Sequence, residues 1–400
     1  MATAILEVNI ENMPVEIATG QNYRKALQLV RYNGKPVGKI TLPVEDGIIR
    51  MGRHSDAIIN AVTGELWKKK VHDFLQWDPM HIEPGEMPKA SVAITTRDRP
   101  EDLKRCLEAL TKMPDDGQEI IVIDNCPSTN ASFEIVSMYP AVRYVREDFP
   151  GSSAARNRAL KEAKNELVAF TDDDAVPDAN WLRSLVRNFT DPRVMCVTGQ
   201  VMPLELENEA QEWFESFSPL GRGFQRIEYD GASFYNRFRV APIGVSANMC
   251  LRKELLDKVG AFDEVLGVGT PTKCGEDHEL FSRILARGYK IVYDPEALSW
   301  HRHRRTWEET SKTLFGYGVG VYSFWMRTLI KEKEFSVVLL PLKWFYRSQL
   351  PNLIRSLFKR RGSIPLDLVL AELRGCLVGM KAYFKSLSSH RKKINNLRHG

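Results

Sequence analysis

The 400-residue chain has no uninterrupted apolar run near the roughly 20 residues that a spanning helix needs. Its longest candidates, residues 335–342 and 366–380, are too short or are broken by charge. No charged stretch followed by an apolar run opens the chain, so no secretory leader is expected. Only six cysteines occur, at 106, 126, 196, 250, 274 and 376, with no CxxC pair and no metal-like spacing. Several lie in apolar runs, as in Val194-Met195-Cys196-Val197, and they read as buried free thiols of a reducing compartment. Repeats, low-complexity tracts and recognised nucleic-acid motifs are also missing, so nucleic acid is not an expected partner. Together these absences predict a cytoplasmic protein whose only membrane contact is peripheral, on the inner face.

What is present is globular composition, 43% hydrophobic and 27% charged, in a length that suits about two to three domains. The net charge of +5 is uneven. Residues 331–400 hold 15 Lys/Arg against 4 Asp/Glu, a surplus of +11 that leaves −6 for the remainder. A basic tail on a mildly acidic body points to an anionic surface, and a solvated helical face is the equal alternative.

Four segments follow from composition and periodicity. Residues 1–76 read as a small α+β module of unassigned role, with Tyr32-Asn33-Gly34-Lys35 as a hairpin turn and a helix over 58–74. Residues 77–88 are Pro-rich and polar, a linker. Over 89–305 apolar strands at 91–95, 119–124, 142–145 and 166–172 alternate with helices opening at Pro100 and Gly151. That rhythm predicts an α/β fold, a mostly parallel sheet sandwiched by helices, with ligands beyond the carboxyl ends of the strands. From Pro203 to Val240 the rhythm fails in a stretch rich in aromatics and glycine, read as a long binding loop. Residues 306–400 read as a helical, basic C-terminal region.

The richest chemistry lies where the apolar run Leu167-Val168-Ala169-Phe170-Thr171 ends in Asp172-Asp173-Asp174. Clustered carboxylates at the end of a buried strand repel one another, and a divalent cation would resolve the repulsion. In an extended chain Asp172 and Asp174 share one side and Asp173 takes the other. Around the triplet stand Thr95-Thr96-Arg97-Asp98-Arg99-Pro100, Val122-Ile123-Asp124-Asn125 and Gly151-Ser152-Ser153-Ala154-Ala155-Arg156-Asn157. Further on come Gly244-Val245-Ser246-Ala247-Asn248, Gly275-Glu276-Asp277-His278-Glu279-Leu280, and then His301 and His303.

In this order the motifs resemble those of the family 2 glycosyltransferases over about residues 89–305, and the resemblance implies the GT-A fold. It implies a nucleotide-diphospho-sugar site formed by Thr95, Arg97, Asp124, Arg156, Asn157, Asp172, Asp173 and Asn248. Asp124 would meet the base and Asp172 the ribose, while the role of Asp173 stays open. The Asp-x-Asp pattern implies Asp174 as a ligand of Mn²⁺ or Mg²⁺, joined by His301 first and His303 second. Asp277, with Glu276 beside it, is implied as the catalytic carboxylate, a general base on an acceptor hydroxyl. Asn248 is open between a sugar contact and a buried amide bonded to backbone.

The resulting expectation is a metal-dependent inverting glycosyltransferase of polysaccharide or glycoconjugate synthesis. It would move a sugar from a nucleotide-diphospho-sugar donor to a saccharide, lipid-linked or other hydroxyl acceptor. The Gln-x-x-Arg-Trp motif of processive family members is not in the sequence. A sugar-1-phosphate nucleotidyltransferase and a non-catalytic nucleotide- or glycan-binding scaffold are the alternatives.

Overall fold

The computed structural model describes residues 2–77, 87–232, 238, 240–360 and 362–399, and side chains as far as residue 395. Most of the expected linker, together with Phe234, Tyr235 and Arg361, lies outside the described residues.

The N-terminal strands β1 (Ala2–Asn9), β3 (Tyr23–Tyr32) and β4 (Lys35–Pro43) form one sheet, with β1 parallel and β4 antiparallel to β3. The hairpin turns at Asn33 and Gly34, both at positive φ, as a tight primed turn requires. Strands β2 (Glu16–Ala18) and β5 (Ile48–Arg50) make a small second ladder. Helix α1 (Ser55–Phe74) buries Ile58 and Val62 against Val30, Val37 and Ile49. The β3 residues Leu27 and Leu29 pack on Met202, Leu298 and Trp300 of the larger body.

That body is a nine-stranded sheet. Strands β6 (Ala90–Thr96), β7 (Glu119–Asn125), β8 (Val142–Glu147) and β9 (Leu167–Asp172) run parallel in the order β9-β6-β7-β8. The other half holds β10 (Ala175–Pro177), β11 (Val194–Pro203), β12 (Ile227–Asp230), β13 (Asn248–Arg252) and β14 (Lys290–His301). Strand β13 is antiparallel between β9 and β11, and β14 is parallel to β11.

Alternate residues of the central strands feed two cores. Val92, Ile94 and Val122 face helices α2 (Pro100–Leu110), α3 (Ala131–Ser137) and α5 (Trp181–Val186). Ala93, Ile121 and Ile123 face α4 (Ser152–Glu162), α7 (Leu255–Lys258) and α8 (Glu276–Ala286). Both faces are covered, so the strands read as continuous apolar runs.

Two expectations need correction. The stretch from 203 to 240 is not all loop: it contains α6 (Glu209–Phe217), capped by Asn208 Oδ1, and strand β12, which pairs with β14. Cys126 and Cys274 are half-buried rather than buried, though all six cysteines are free thiols.

Beyond the sheet, α9 (Trp307–Glu332) opens on a capping box of Thr306 and Glu309 and packs along α12 (Leu366–His399). Between them the chain runs through a 3-10 turn (Phe335–Leu339), α10 (Leu340–Trp344), a π turn (Phe345–Gln349) and α11 (Leu350–Leu357). Pro341 and Pro351 account for these breaks. Each lacks an N–H and crowds the carbonyl four residues back, at Val337 in the 3-10 turn and Arg347 in the π turn. Among the described residues no helix is long and apolar enough to cross a membrane.

Candidate active site

The parallel strands β6, β7 and β9 bring Thr95, Asp124 and Asp172 to one edge of the sheet; Thr95 is paired with Asp172 and Thr96 with Asp124. The chain leaves β9 through Asp173 and Asp174 and enters β10, whose Ala175 pairs with His301 at the end of β14. That register sets His301 against the aspartates. Ligand atoms of Asp172, Asp174 and His301 lie within 4.8 Å of one another.

Asp174 is nearly inaccessible. Its Oδ1 lies 3.0 Å from His301 Nε2, and Arg99 Nη1 lies 2.9 Å from its Oδ2. Burial alone would raise this carboxyl, but the charges of His301, Arg99 and Arg304 hold it well below the usual range. Burial would lower His301, and Asp174 reverses that and raises it. Asp174 Oδ1 meets His301 Nε2 as an ion pair short of good hydrogen-bond geometry, and His301 Nδ1 is buried without a hydrogen-bond partner. Two carboxylates and an imidazole converging in this way are a donor set that fits Mn²⁺ or Mg²⁺. Asp172, the third member, is partly open, and its carboxylate is 3.5 Å from Arg156.

Asp173 points the other way. It accepts from Thr96 Oγ1 at 2.8 Å and from Arg99 Nη1 at 3.2 Å. Burial and the neighbouring Asp174 push its pKa up to about 7 against the pull of Arg99. Asp173 and Asp174 lie in the turn after β9 and share Arg99 Nη1, so the triplet is divided by that turn and its partners and not by strand alternation.

Asp124 is fully buried at the end of β7. Its Oδ2 accepts from Tyr144 at 2.9 Å, and its Oδ1 has no partner. Burial raises its pKa, and the bond from Tyr144 works against that. An unpartnered acceptor at this strand end suits an N–H of a nucleobase. Arg97 is exposed beyond β6, 3.7 Å from Asp98.

Arg156 and Glu276 form the buried floor. Arg156 Nη1 is 2.9 Å from Glu276 Oε1, which also accepts from Ser152 Oγ at 3.0 Å. Burial raises Glu276, while Arg156 pulls it down. Asp277 follows in the first turn of α8, half-buried, and accepts from the His278 backbone N–H at 2.8 Å. The start of α8 is pressed on α9: a Cβ on Gly275 would sit 2.8 Å from the Gly320 carbonyl oxygen. Arg222 and Tyr317 feel the charge of Asp277, and burial lowers the one and raises the other.

Three expected site residues are placed elsewhere. His303 Nε2 is 2.9 Å from Glu215 Oε2, with its ring edge-on to Phe214. Two residues on from His301, it has left the strand and faces α6, so only His301 joins the aspartates. Asn248 is spent inside the core: Nδ2 donates to the Gln200 and Ala297 carbonyls at 2.9 and 2.8 Å, and Oδ1 accepts from Trp181 Nε1 at 2.8 Å. It bridges the register shift between β11 and β14, leaving no polar atom for a sugar. Asn157 exchanges hydrogen bonds with the Phe262 backbone and donates to Glu264, so it positions that loop. Sequence reading missed Arg99, Arg222 and Tyr317. Only Arg99, inside the first motif, carried a signal.

Residues 91–260 match the family model described as Glycosyl transferase family 2. These residues form a family 2 glycosyltransferase domain. The match ends before Asp277 and His301, so the structure joins them to this glycosyltransferase domain. A Pre-mycofactocin glycosyltransferase of Mycobacterium tuberculosis is 30% identical over 232 residues, 56% of this chain and 45% of that protein. Glycosyltransferase AglE of Haloferax volcanii is 22% identical over 284 residues, 69% of this chain and 87% of that one. The chain spans about half the length of the first of these. A solved structure, Mannosyltransferase PcManGT from Pyrobaculum calidifontis in complex with GDP-Man and Mn²⁺, has a TM-score of 0.49 and 19% identity; the match covers 81% of this chain and 93% of that chain.

Proposed function

We propose that this chain transfers a sugar, with inversion, from a nucleotide-diphospho-sugar to a hydroxyl acceptor, and that the transfer requires Mn²⁺ or Mg²⁺. The observation that carries the reading is the convergence of Asp172, Asp174 and His301 ligand atoms within 4.8 Å of one another, at the carboxyl ends of parallel strands. A divalent cation held by Asp174 and His301 would stabilise negative charge on the departing diphosphate. Asp124 accepts a hydrogen bond from the base, Asp172 bonds the ribose, and Thr95 and Arg97 border the same end of the sheet. Arg156 braces Glu276 and Asp172 from below. Asp277 takes the proton of the acceptor hydroxyl, whose oxygen attacks the anomeric carbon from the face opposite the nucleotide.

The acceptor is a saccharide or lipid-linked hydroxyl of polysaccharide or glycoconjugate synthesis. Residues 1–76, 89–305 and 306–400 are separate units of this proposal, and 331–400 meet an anionic membrane surface. A donor screen that reads nucleotide release, followed by Asp277→Asn on the donor it finds, tests the catalytic reading. Proton transfer by a placed carboxylate contributes roughly 10²–10⁴-fold. Turnover of Asp277→Asn within about tenfold of wild type would contradict that role. Retained anomeric configuration in the product would refute inversion separately.

A further inference from the structure

Between α9 and α12 the polarity of the chain is turned inside out. Over 335–358 the buried side chains are Val337, Gln349 and Ser356, two of the three polar. Gln349 Nε2 donates to Cys376 Sγ at 3.0 Å, and Ser356 Oγ donates to the Ile364 carbonyl at 2.8 Å. The outward side chains include many large apolar ones. Phe335 is 74% exposed and Phe358 73%, with Val338, Leu339, Leu342 and Leu357 each more than half exposed. Positions 335, 338, 339 and 342 follow the i, i+3, i+4, i+7 spacing of one helical face, and 354, 357 and 358 repeat it. A fold places such a face outward only where something other than water meets it.

The charges indicate what that is. Lys343, Arg347, Arg355, Lys359 and Arg360 are all exposed on the same segment, and no Asp or Glu occurs from 335 to 366. Tyr346, 60% exposed, stands among them. Large apolar side chains beside cations and an interfacial tyrosine suit the boundary between acyl chains and anionic headgroups. A second copy of the chain fits worse. A two-fold contact through this face would bring cationic segments together with no acid between them.

We propose that residues 335–358 are a strap that docks in the plane of an anionic bilayer, its phenylalanines and leucines entering the acyl boundary and its cations at the lipid phosphates. The inference rests on the membrane contact proposed for 331–400, and it names the element that makes it. It does not depend on the transfer chemistry.

Flotation of the full chain with vesicles of phosphatidylcholine alone, or mixed with phosphatidylglycerol, is the test. Wild type floats with the mixed vesicles and is released as salt rises. Phe335→Ser/Leu342→Ser/Phe358→Ser changes only exposed positions; it keeps the wild-type circular dichroism and loses roughly tenfold or more in binding. A triple variant that floats as well as wild type would overturn the strap and leave a membrane contact elsewhere on the chain. No flotation of wild type, or equal flotation on neutral vesicles, would overturn both. A wild-type dimer that the triple variant converts to monomer would overturn the strap in favour of self-association. Nucleotide release in vesicle-free solution is the same for both proteins, so failure of the transfer reading shows there and not in flotation.

Discussion

His301 Nε2 lies 3.0 Å from Asp174 Oδ1, and one antiparallel pair, Ala175 with His301, sets that distance. Two residues far apart in sequence thus become a candidate ligand pair through backbone register.

This pair gives the first prediction. Asp174→Ala and His301→Ala each weaken Mn²⁺-dependent binding of a nucleoside diphosphate by about tenfold or more, read by titration calorimetry with and without the metal. A chelator abolishes transfer, and added Mn²⁺ or Mg²⁺ restores it. Wild-type affinity in both variants, or full activity in excess chelator, would remove the cation from the site.

Arg156 and Glu276 are buried together 2.9 Å apart. Arg156→Met strands the carboxylate and lowers unfolding free energy by about 3–5 kcal/mol. Adding Glu276→Gln to it recovers part of that loss. Urea midpoints of the single and double variants check the coupling, and equal midpoints would show that the pair is solvated after all.

Asn248 separates structure from chemistry. Asn248→Ala leaves the Trp181 N–H and the Gln200 and Ala297 carbonyls unpaired in the core, a loss of about 2–4 kcal/mol. Donor KM, measured on the folded fraction at low temperature, stays near wild type. A large rise in KM with unchanged stability would instead return Asn248 to the sugar.

Glu372, on the α12 face toward α9, is pushed by burial up to about 7 from an ordinary value near 4.5. Between those two values the folded protein holds a proton that the unfolded chain releases. Stability conferred by the neutral form is therefore full below about 4.5 and lost as pH rises toward 7, by about 3 kcal/mol at most. Glu372→Gln flattens that slope and is the more stable protein at pH 8. Parallel pH profiles for variant and wild type would refute the assignment.

The sheet was legible in the sequence because strands buried on both faces leave unbroken apolar runs such as Glu119–Asn125, and Pro100 marks where a helix begins. The position of the Asp triplet at a strand end was legible from the apolar run before it, but how its members divide depends on the turn at 173–174 and on Arg99. Other features depend on distant partners. His303 could not be told from His301 without knowing where β14 ends and that Glu215 on α6 waits beyond it. The carbonyls that fix Asn248 come from Gln200 and Ala297, 48 and 49 positions away. Helix α6 was legible and passed over: Ala210, Trp213, Phe214 and Phe217 keep helical spacing behind the Asn208 cap, but the helix is short and glycines and aromatics crowd the stretch after it.

The close seating of Gly275 on Gly320 bears on how this family could be recombined. Arg327 of α9 also reaches Glu279 and Asp263, and Ser386 of α12 reaches the Val265 carbonyl. The helix that presents Asp277 is thus clamped from behind by segments outside the region matched as a domain. A chimera that swapped everything after residue 305 would discard the clamp along with the proposed strap. An interchangeable cassette of this domain must take α9 and α12 with it.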